Sequence, residues 1–367
     1  MNICIIVYDF SIRNGAQRVG CNVANELCKR GYQVVFVSLF YKRGSDSYKL
    51  DEDIKKYIII DHDSRFIKNF WNIIFSLNEI IRHNYCNYII GNGFSVALAT
   101  FISSCLLNKP FIYWEQGCLE NEYYNSNLKS RIYRWISIKF SRMNITLTEE
   151  TRISLIKKFN VSSSKTRTIP NWVEKSAFKS NGYNKESKII LTIGNADPIK
   201  GFDRLIMIAK KVEPYAKGWE WHIWGSFDNT YGNYIVESIN KNNLSHFIIL
   251  MGETKDIYSV YSKASFFVMT SRYEGLPMVL LEAKANMLPL VSFDIKTGPN
   301  EIIENEVNGF LIKDDDINGM AEKIKELINK PELRRKFSEY SYIKMDKYSK
   351  STISENWSEM LLSLNNR

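Results

Sequence analysis

The chain has 367 residues, of which 45% are hydrophobic and 24% are charged, the balance of a soluble globular protein with room for two domains. Its net charge of +9 lies in the first half, because residues 1–175 contain 24 Lys and Arg against 15 Asp and Glu, whereas residues 176–367 contain 25 of each. This asymmetry predicts two domains with different partners, the first of which binds an anionic partner. The six cysteines form no Cys-x-x-Cys pair and the four histidines lack ligand spacing, which argues against a disulfide framework and a structural zinc site.

The start of the chain does not have the pattern of a signal peptide. Met1-Asn2 runs directly into an apolar, strand-like segment. The longest uncharged run, residues 84–108, contains Asn and Gly at five of its first ten positions, so a strand, a turn and a helix fit it better than a membrane span. We therefore expect a cytoplasmic protein.

The first half alternates apolar runs with helical patterns. Residues 3–7 form a continuous apolar run, as expected of a strand that is buried on both faces. Apolar spacing predicts a helix over residues 15–30, which Gly31 closes. Further strands are predicted at residues 34–37, 57–60, 88–90, 111–113 and 144–147.

A domain boundary is predicted at residues 169–173, before a polar stretch over residues 174–188. The alternation then restarts, with strands at residues 189–193, 221–224, 247–250, 266–269 and 289–292, and with helices from residue 317 onward. Such alternation implies parallel sheets with right-handed crossovers. The predicted fold class is α/β, with two doubly wound domains that leave a cleft at the carboxyl ends of their strands.

Two carboxylates in residues 271–283 carry the clearest chemical signal. Glu274 precedes a turn, and Glu282 follows eight residues later inside an apolar helix, from which its side chain leans back toward the helix start. Two acids so placed could bind the hydroxyl groups of a sugar. The alternative, equally weighted on these residues alone, is that Glu274 caps an ordinary amphipathic helix and that Glu282 is merely solvated.

Between the two acids, the chain has the features of an anion seat. Gly275 lets the backbone approach a ligand closely, and Pro277 suits the first helical position. The N–H groups of Met278 and Val279 would then point at an anion with the helix dipole behind them. A phosphate seat beside two acids meets the needs of a sugar nucleotide.

Two further turns could contact phosphate. Lys200 lies in residues 194–201, the segment that follows the strand at residues 189–193. A lysine at this helix start would be a point charge that binds a diphosphate, and the alternative is an ordinary surface lysine. Asn14-Gly15-Ala16-Gln17 follows the first strand and opens a helix, which makes a second potential anion turn. This turn lacks Gly-x-Gly-x-x-Gly, which disfavours a nicotinamide dinucleotide site. That Gly15 is needed only for tight packing is nearly as good an interpretation as an anion turn.

The basic segment over residues 129–142 interleaves Lys and Arg with aromatic and aliphatic residues, which favours binding to a membrane surface. The alternative is a domain helix with an apolar inner stripe and a solvated basic side. Acid-x-acid pairs at residues 51–53 and 61–63 could hold a divalent cation, but acidic loop faces explain them better. Nucleic acid is disfavoured, because the basic residues lack a stacking platform.

With these motifs in place, the chain resembles retaining glycosyltransferases of the GT-B fold, family 4, over essentially its whole length. Residues 271–283 match the family's E-x7-E signature with its S-R-x-E-G-x-P lead-in, and the matches follow the family's order and spacing. The other matches are Asn14-Gly15-Ala16-Gln17-Arg18-Val19 to its G-G-A-E-R-V turn, Ile169-Pro170-Asn171, Gly298-Pro299 with Glu301-Ile302-Ile303, Asn308-Gly309-Phe310-Leu311, and Trp357 in a C-terminal helix.

The resemblance implies a GT-B architecture of two Rossmann-like domains that face a central cleft. Residues 1–172 would form the acceptor-side domain and residues 173–345 the nucleotide-sugar domain. Residues 346–367 would form a helix that packs back on the first domain.

The resemblance also implies roles for the site residues. Glu274 would contact hydroxyls of the donor sugar, Glu282 would hold the nucleotide ribose, and Lys200 would neutralise the leaving diphosphate, so that Glu274 and Lys200 are the catalytic pair. Catalysis would rest on stabilising the departing phosphate charge, with no cofactor and no essential metal. Backbone groups after Gly275 and at the first turn would assist, namely those of Leu276, Met278, Val279, Gly15 and Ala16.

Two residues depart from the family pattern. Asn195 stands where the family commonly has an arginine, and Gln116 follows the strand at residues 111–113 where a histidine is often found. With one cation fewer in the diphosphate clamp, Lys200 should carry more of it. Gln116 can donate a hydrogen bond to a donor-sugar hydroxyl but cannot carry a proton.

The implied activity is transfer of a hexose or N-acetylhexosamine from a nucleotide-diphosphate sugar, with UDP as the expected nucleotide. The configuration would be retained, and the acceptor would be a polyprenyl-linked glycan of a surface polysaccharide such as O-antigen or capsule. The enzyme would be peripheral at the inner face of the cell membrane, with its basic first domain against the bilayer and no nucleic acid as partner. Two alternatives stay open: a GT-B-type sugar-nucleotide epimerase, and a non-catalytic subunit that binds sugar nucleotides.

Overall fold

The computed structural model describes residues 1–12, 14–62, 65–119, 128–174, 183–254 and 256–365. The chain divides into two units: Met1–Asn171 with Ser351–Arg367 form the first, and Trp172–Lys350 form the second. Each unit is a parallel α/β sheet flanked by helices. No helix in the described ranges is long and apolar enough to cross a membrane.

The first unit is built on a seven-stranded sheet. Its strands are β1 (Asn2–Asp9), β2 (Gln33–Phe40), β3 (Lys55–Ile60), β4 (Tyr88–Asn92), β5 (Phe111–Trp114), β6 (Met143–Thr146) and β7 (Thr166–Thr168). The helices between them are α1 (Gly15–Lys29), α2 (Phe70–His83), α3 (Ala97–Leu107), α4 (Leu128–Phe140) and α5 (Glu149–Phe159).

The strand order of this sheet is β3-β2-β1-β4-β5-β6-β7, with every pairing parallel. The order reverses between β1 and β4, which makes their carboxyl ends the topological switch point where such sheets bind ligands. The apolar run of β1 is fully buried, as its sequence predicted, because helices cover both faces.

The second unit is built on a six-stranded sheet. Its strands are β8 (Ile189–Ile193), β9 (Glu220–Trp224), β10 (Ile248–Gly252), β11 (Phe266–Met269), β12 (Leu290–Asp294) and β13 (Gly309–Lys313). The helices are α6 (Phe202–Val212), α7 (Thr230–Lys241), α8 (Ile257–Lys263), α9 (Met278–Ala285), α10 (Pro299–Ile302), α11 (Ile317–Asn329) and α12 (Pro331–Ser341).

The second sheet repeats the order of the first, as β10-β9-β8-β11-β12-β13, again with parallel pairings throughout. Its switch point therefore lies between β8 and β11. The predicted fold class, two doubly wound parallel α/β domains, is confirmed. Two strands were not predicted: β7 has no apolar run, and β13 was treated only as part of a motif.

The last helix, α13 (Lys350–Asn365), belongs to the first unit. Trp357 is buried there and packs edge-on against Trp114 of β5, with 4.7 Å between the ring centroids. Arg30 donates to the Ser354 hydroxyl at 2.9 Å. The chain thus returns to the first unit after completing the second.

Candidate active site

The central pair of the site lies at the switch point of the second unit. Lys200 follows β8 and Glu274 follows β11, and these two strands are neighbours whose carboxyl ends meet at one edge. The Nζ atom of Lys200 lies 2.8 Å from Oε1 of Glu274. Residues separated by 74 positions in the sequence are thereby brought into one ion pair.

The loop that carries Lys200 is fixed by its own backbone. Asp197 accepts a hydrogen bond from the N–H of Ile199 at 2.8 Å and starts a single 3₁₀ turn. Gly201 ends that turn at φ +66°, and a Cβ atom there would lie 2.2 Å from the carbonyl oxygen of Thr270. Only glycine fits this position, so the loop is pressed against the end of β11.

Glu274 is held from both its side chain and its backbone. Its Oε1 also accepts from the Ser271 hydroxyl at 2.8 Å, and its carbonyl accepts from the Thr297 hydroxyl at 2.5 Å. The side chain is 13% exposed and that of Lys200 is 30% exposed, so both groups reach solvent. The carboxylate is therefore oriented yet accessible to a ligand.

The pKa of Lys200 is raised above its ordinary value. Burial by itself lowers the pKa of this ammonium group, but the charge of Glu274 and its hydrogen bond to Lys200 outweigh burial. Lys200 is consequently a full positive charge at neutral pH. A fixed cation at a sheet edge is suited to binding a phosphate.

Helix α9, whose first amides form the predicted anion seat, begins one residue later than predicted. Pro277 stands at the N-cap of α9 with an extended backbone (φ −72°, ψ 101°), so Met278 is the first helical residue. The prediction that Pro277 is the first helical residue is wrong, because the carbonyl of Pro277 already accepts from Leu280 and Leu281 while its own ψ is not helical. Pro277 provides no side-chain cap, so the amides of Met278 and Val279 have no acceptor within the first turn of the helix.

A glycine of the next loop packs against this seat. Gly298 has φ +100°, and a Cβ atom there would lie 2.6 Å from Cδ of Pro277 and 3.0 Å from the carbonyl oxygen of Gly275. The loop of residues 275–277 is thus packed against the loop that contains Gly298. Leu276 is buried within it.

Glu282 lies on α9 and is buried, with 4% of its surface exposed. The hydroxyl of Tyr261 donates to its Oε2 at 2.9 Å. The alternative of a solvated Glu282 is therefore wrong. Tyr261 lies on α8, 21 residues earlier in the chain, and no spacing pattern in the sequence connects the two residues.

Asn195, which replaces the arginine common in the resembling family, has a structural contact. Its Oδ1 accepts from the N–H of Ser226 at 2.9 Å. The neighbouring Gly225 allows the two loops to touch, since a Cβ atom there would lie 2.2 Å from the carbonyl oxygen of Gly194. Asn195 joins the loops after β8 and β9 and brings no positive charge to the site.

Arg272 connects the two loops that hold the central pair. Its guanidinium group donates to both carboxylate oxygens of Asp203, at 2.8 and 2.5 Å, and to the carbonyl of Pro198 at 2.9 Å. Burial raises the pKa of Asp203, but the hydrogen bonds and charge of Arg272 outweigh it, so the pKa is lowered. Arg272 was visible in the signature, whereas Asp203 on α6 was not predicted.

The remaining predicted residues meet at the switch point of the first unit. Asn92, at the end of β4, donates to the carbonyl of Ala16 at 2.8 Å and accepts from the side-chain amide of Gln116 at 2.8 Å. A Cβ atom on Gly15 would meet nothing within 4 Å, whereas one on Gly20 would lie 2.6 Å from Asn92. The tight-packing interpretation of Gly15 is wrong, and Gly20 is the packing glycine of α1.

Two family models match the chain. The model described as Glycosyl transferases group 1 matches residues 173–344, and the model described as Glycosyltransferase Family 4 matches residues 13–176. The chain belongs to the group 1 glycosyltransferases. It is accordingly an enzyme, a hexosyltransferase.

Relatives of this glycosyltransferase differ in how much of their length it spans. An uncharacterized glycosyltransferase of Haemophilus influenzae is 26% identical over 98% of this chain and 99% of its own. A poly(ribitol-phosphate) alpha-N-acetylglucosaminyltransferase of Staphylococcus aureus is 32% identical over 58% of this chain and 42% of its own.

Solved structures show the fold of the glycosyltransferase. TarM of Staphylococcus aureus, in complex with UDP among other ligands, superposes with a TM-score of 0.84 at 19% identity over all of both chains. HepE of Anabaena, in complex with UDP, superposes with a TM-score of 0.81 at 16% identity over 99% of this chain and 100% of its own. Both likenesses support the GT-B fold.

In the basic segment of this glycosyltransferase, residues 129–142, Arg131 and Arg142 are exposed as predicted, but two of the other basic residues contact the first unit itself. Arg134 is largely buried, with its Nε 3.5 Å from the buried carboxylate of Glu115. Lys139 donates to the carbonyls of Phe159 and Asn160. Arg134 and Lys139 therefore stabilise the first unit, and the side chain of Lys129 lies outside the described residues.

The acidic segment at residues 51–53 meets a thiol. Ligand atoms of Asp51, Asp53 and Cys28 lie within 4.8 Å of one another. Asp51 also accepts from the N–H of Asp53 at 3.3 Å, as an acidic loop face does. In the other acid pair, Asp63 lies outside the described residues.

Proposed function

We propose that this glycosyltransferase moves a hexose or N-acetylhexosamine from a UDP-sugar to a polyprenyl-linked glycan, with retained anomeric configuration, in the synthesis of a cell-surface polysaccharide. The observation that carries the proposal is the ion pair of Lys200 and Glu274 at the switch point of the second sheet. One ligand that contains both phosphate and hydroxyl groups would satisfy both members of this pair.

The chemistry needs a site that stabilises a leaving diphosphate. In the proposed reaction the bond between the sugar's anomeric carbon and the diphosphate oxygen breaks, and the acceptor hydroxyl attacks on the same face and gives its proton to the departing diphosphate. Lys200 and the first amides of α9 would stabilise the developing phosphate charge. Glu274, oriented by Ser271, would bind donor-sugar hydroxyls, and Glu282, fixed by Tyr261, would bind the ribose.

The names of relatives support the substrate class. An amylovoran biosynthesis glycosyltransferase of Erwinia amylovora is 32% identical over 49% of this chain and 49% of its own. The Staphylococcus aureus relative acts on poly(ribitol-phosphate), and TarM and HepE have been crystallised with UDP. These support a UDP-linked donor and a surface polymer as the product.

A donor panel tests the proposal. The purified protein is incubated with UDP-Glc, UDP-Gal, UDP-GlcNAc, UDP-GalNAc or GDP-Man, with and without a membrane lipid extract, and nucleotide diphosphate release is measured. We expect one UDP-sugar to give lipid-dependent release of nucleotide diphosphate. EDTA should not inhibit this release, because Lys200 and backbone amides stabilise the phosphate charge. Release without lipid would favour an epimerase or hydrolase, and binding without release would favour a non-catalytic subunit.

A further inference from the structure

Helices α2, α3 and α4 form one layer over the first sheet, and their outer surface is unusually apolar. Their inner residues, which include Ile73, Ala99 and Ile138, belong to the buried core. Their outer side exposes large apolar side chains: Trp71 is 65% exposed and Phe75 is 67% exposed. We call this surface the aromatic face and define it by Ile67, Trp71, Phe75, Leu106, Trp135 and Phe140, all of which are exposed.

The aromatic face is connected across the three helices. The rings of Trp71 and Phe75 lie 6.1 Å apart, and Phe75 lines one groove with Leu106 of α3. On the other side of α3, the ring of Phe140 on α4 lies 5.6 Å from Phe101 of α3 and 6.3 Å from Trp135. Helix α3 packs against both α2 and α4. These residues are therefore parts of one surface and not isolated exposed side chains.

The charge around the aromatic face is strongly positive. Residues 65–142 contain nine Lys and Arg but four Asp and Glu. Among the described residues of this segment, Glu115 is buried against Arg134 and Glu79 is exposed. Exposed basic residues include Lys68, Arg82 and Arg142. A partner that covers this face should be both apolar and anionic.

We propose that the aromatic face docks onto a bilayer that contains anionic lipid. Aromatic rings at the level of the headgroups, flanked by Lys and Arg, are how a protein surface binds such a bilayer. A second copy of this chain fits less well, because two equally basic faces repel each other. The inference rests on the proposed function for its setting, since a polyprenyl-linked acceptor lies in a membrane.

Vesicle flotation tests the docking surface. The protein is mixed with vesicles of equal parts phosphatidylglycerol and phosphatidylcholine, or of phosphatidylcholine alone, and the bound fraction is measured. We expect binding to the anionic vesicles that falls roughly tenfold or more in Trp71→Ser/Phe75→Ser, because two inserted rings are lost. Leu106→Ser on the neighbouring helix should weaken binding in the same direction. The matched control Tyr215→Ser/Tyr340→Ser removes two exposed rings of the second unit and should bind like the parent chain.

Three outcomes would overturn the inference. The first is unchanged flotation of both Trp71→Ser/Phe75→Ser and Leu106→Ser, and the second is no binding of the parent chain to anionic vesicles. The third is a concentration-dependent dimer of the parent chain that is absent in Trp71→Ser/Phe75→Ser. Donor turnover on a detergent-solubilised acceptor is measured in parallel. It should be equal in the parent chain and Trp71→Ser/Phe75→Ser, so failure of the docking surface is distinguishable from failure of the proposed activity.

Discussion

Lys200 and Glu274 form an ion pair in which each partner also has a polar neighbour of its own. The carboxylate is oriented by the Ser271 hydroxyl, and the lysine loop is held against Thr270. A ligand that replaces this pairing must offer an anion to the lysine and hydroxyl groups to the carboxylate. A sugar nucleotide has both, whereas a simple phosphate has only the first.

The charge of Glu274 is testable with its isosteric amide. Glu274→Gln keeps the size of the side chain and removes the negative charge, and we expect turnover to fall by roughly 100-fold or more, as for the loss of an oriented charged group in an active site. The measurement is steady-state release of nucleotide diphosphate. Glu237→Gln, on the exposed side of α7, is the control, and equal rates in the two variants would contradict the assigned role.

The hydroxyl of Tyr261 is predicted to act through Glu282. Tyr261→Phe removes the donor at 2.9 Å and leaves a buried carboxylate with one hydrogen bond fewer. We expect KM for the donor to rise roughly tenfold while kcat changes less, since the ribose and not the reacting carbon is affected. Tyr234→Phe, an exposed tyrosine on α7, is the control. A loss confined to kcat would be against this assignment.

At the scale of elements, Gly201 and Gly15 differ in whether close packing requires a glycine. Gly201→Ala places a Cβ atom against the Thr270 carbonyl at positive φ, and we expect a loss of stability of about 2 kcal/mol or more together with weaker nucleotide binding. Gly15→Ala meets open space, so its melting temperature should match the parent chain. Differential scanning fluorimetry compares the two, and a stable Gly201→Ala variant would show that the close approach is not required.

Helix α9 contains a buried lysine that makes the second unit sensitive to pH. Lys284 is 6% exposed and donates to the carbonyl of Ile302, and burial together with the charges of Lys347 and Lys344 lowers its pKa to about 8. Between pH 8 and the ordinary lysine pKa of 10.5, the unfolded chain binds a proton that the folded chain does not. The contribution of Lys284 to stability therefore increases as the pH rises through that window.

Lys284→Met removes this dependence. Asn308 also donates to the Ile302 carbonyl, so that oxygen keeps a partner in the variant. We expect the variant to be more stable than the parent chain at pH 7, by about 1–3 kcal/mol, and the difference to shrink toward pH 10. Urea unfolding at both pH values measures it, with the exposed Lys263→Met as control. A difference that does not change with pH would show that Lys284 is not titrating.

Sequence patterns identified elements by their apolar runs and missed those without one. The buried strand β1 was predicted because five consecutive residues are apolar, whereas β7 (Thr-Arg-Thr) has no such signal although it pairs with β6. The same limit applies to the site. Glu274 and Glu282 were visible within one signature. Tyr261 on α8 contacts Glu282, and Asp203 on α6 contacts Arg272 in the loop before Glu274, through hydrogen bonds that only the folded chain creates.

At the scale of the whole molecule, two sheets with the same strand order place their polar residues at equivalent switch points. In the second unit this edge carries Lys200 and Glu274, and in the first unit it carries Ala16, Asn92 and Gln116. The charge divides differently, since the net charge of +9 lies in residues 1–175. We therefore propose that the second unit performs the donor chemistry and that the first is attracted to an anionic surface.

Calorimetric titration of UDP into the parent chain, Lys200→Met and Lys263→Met tests the central claim most directly, because it needs neither acceptor nor knowledge of the sugar. We expect the parent chain and Lys263→Met to bind UDP equally, and Lys200→Met to bind roughly tenfold or more weakly, as the loss of a charged hydrogen bond to phosphate requires. Equal binding by all three proteins, or no binding by the parent chain, would contradict the placement of the donor diphosphate at Lys200.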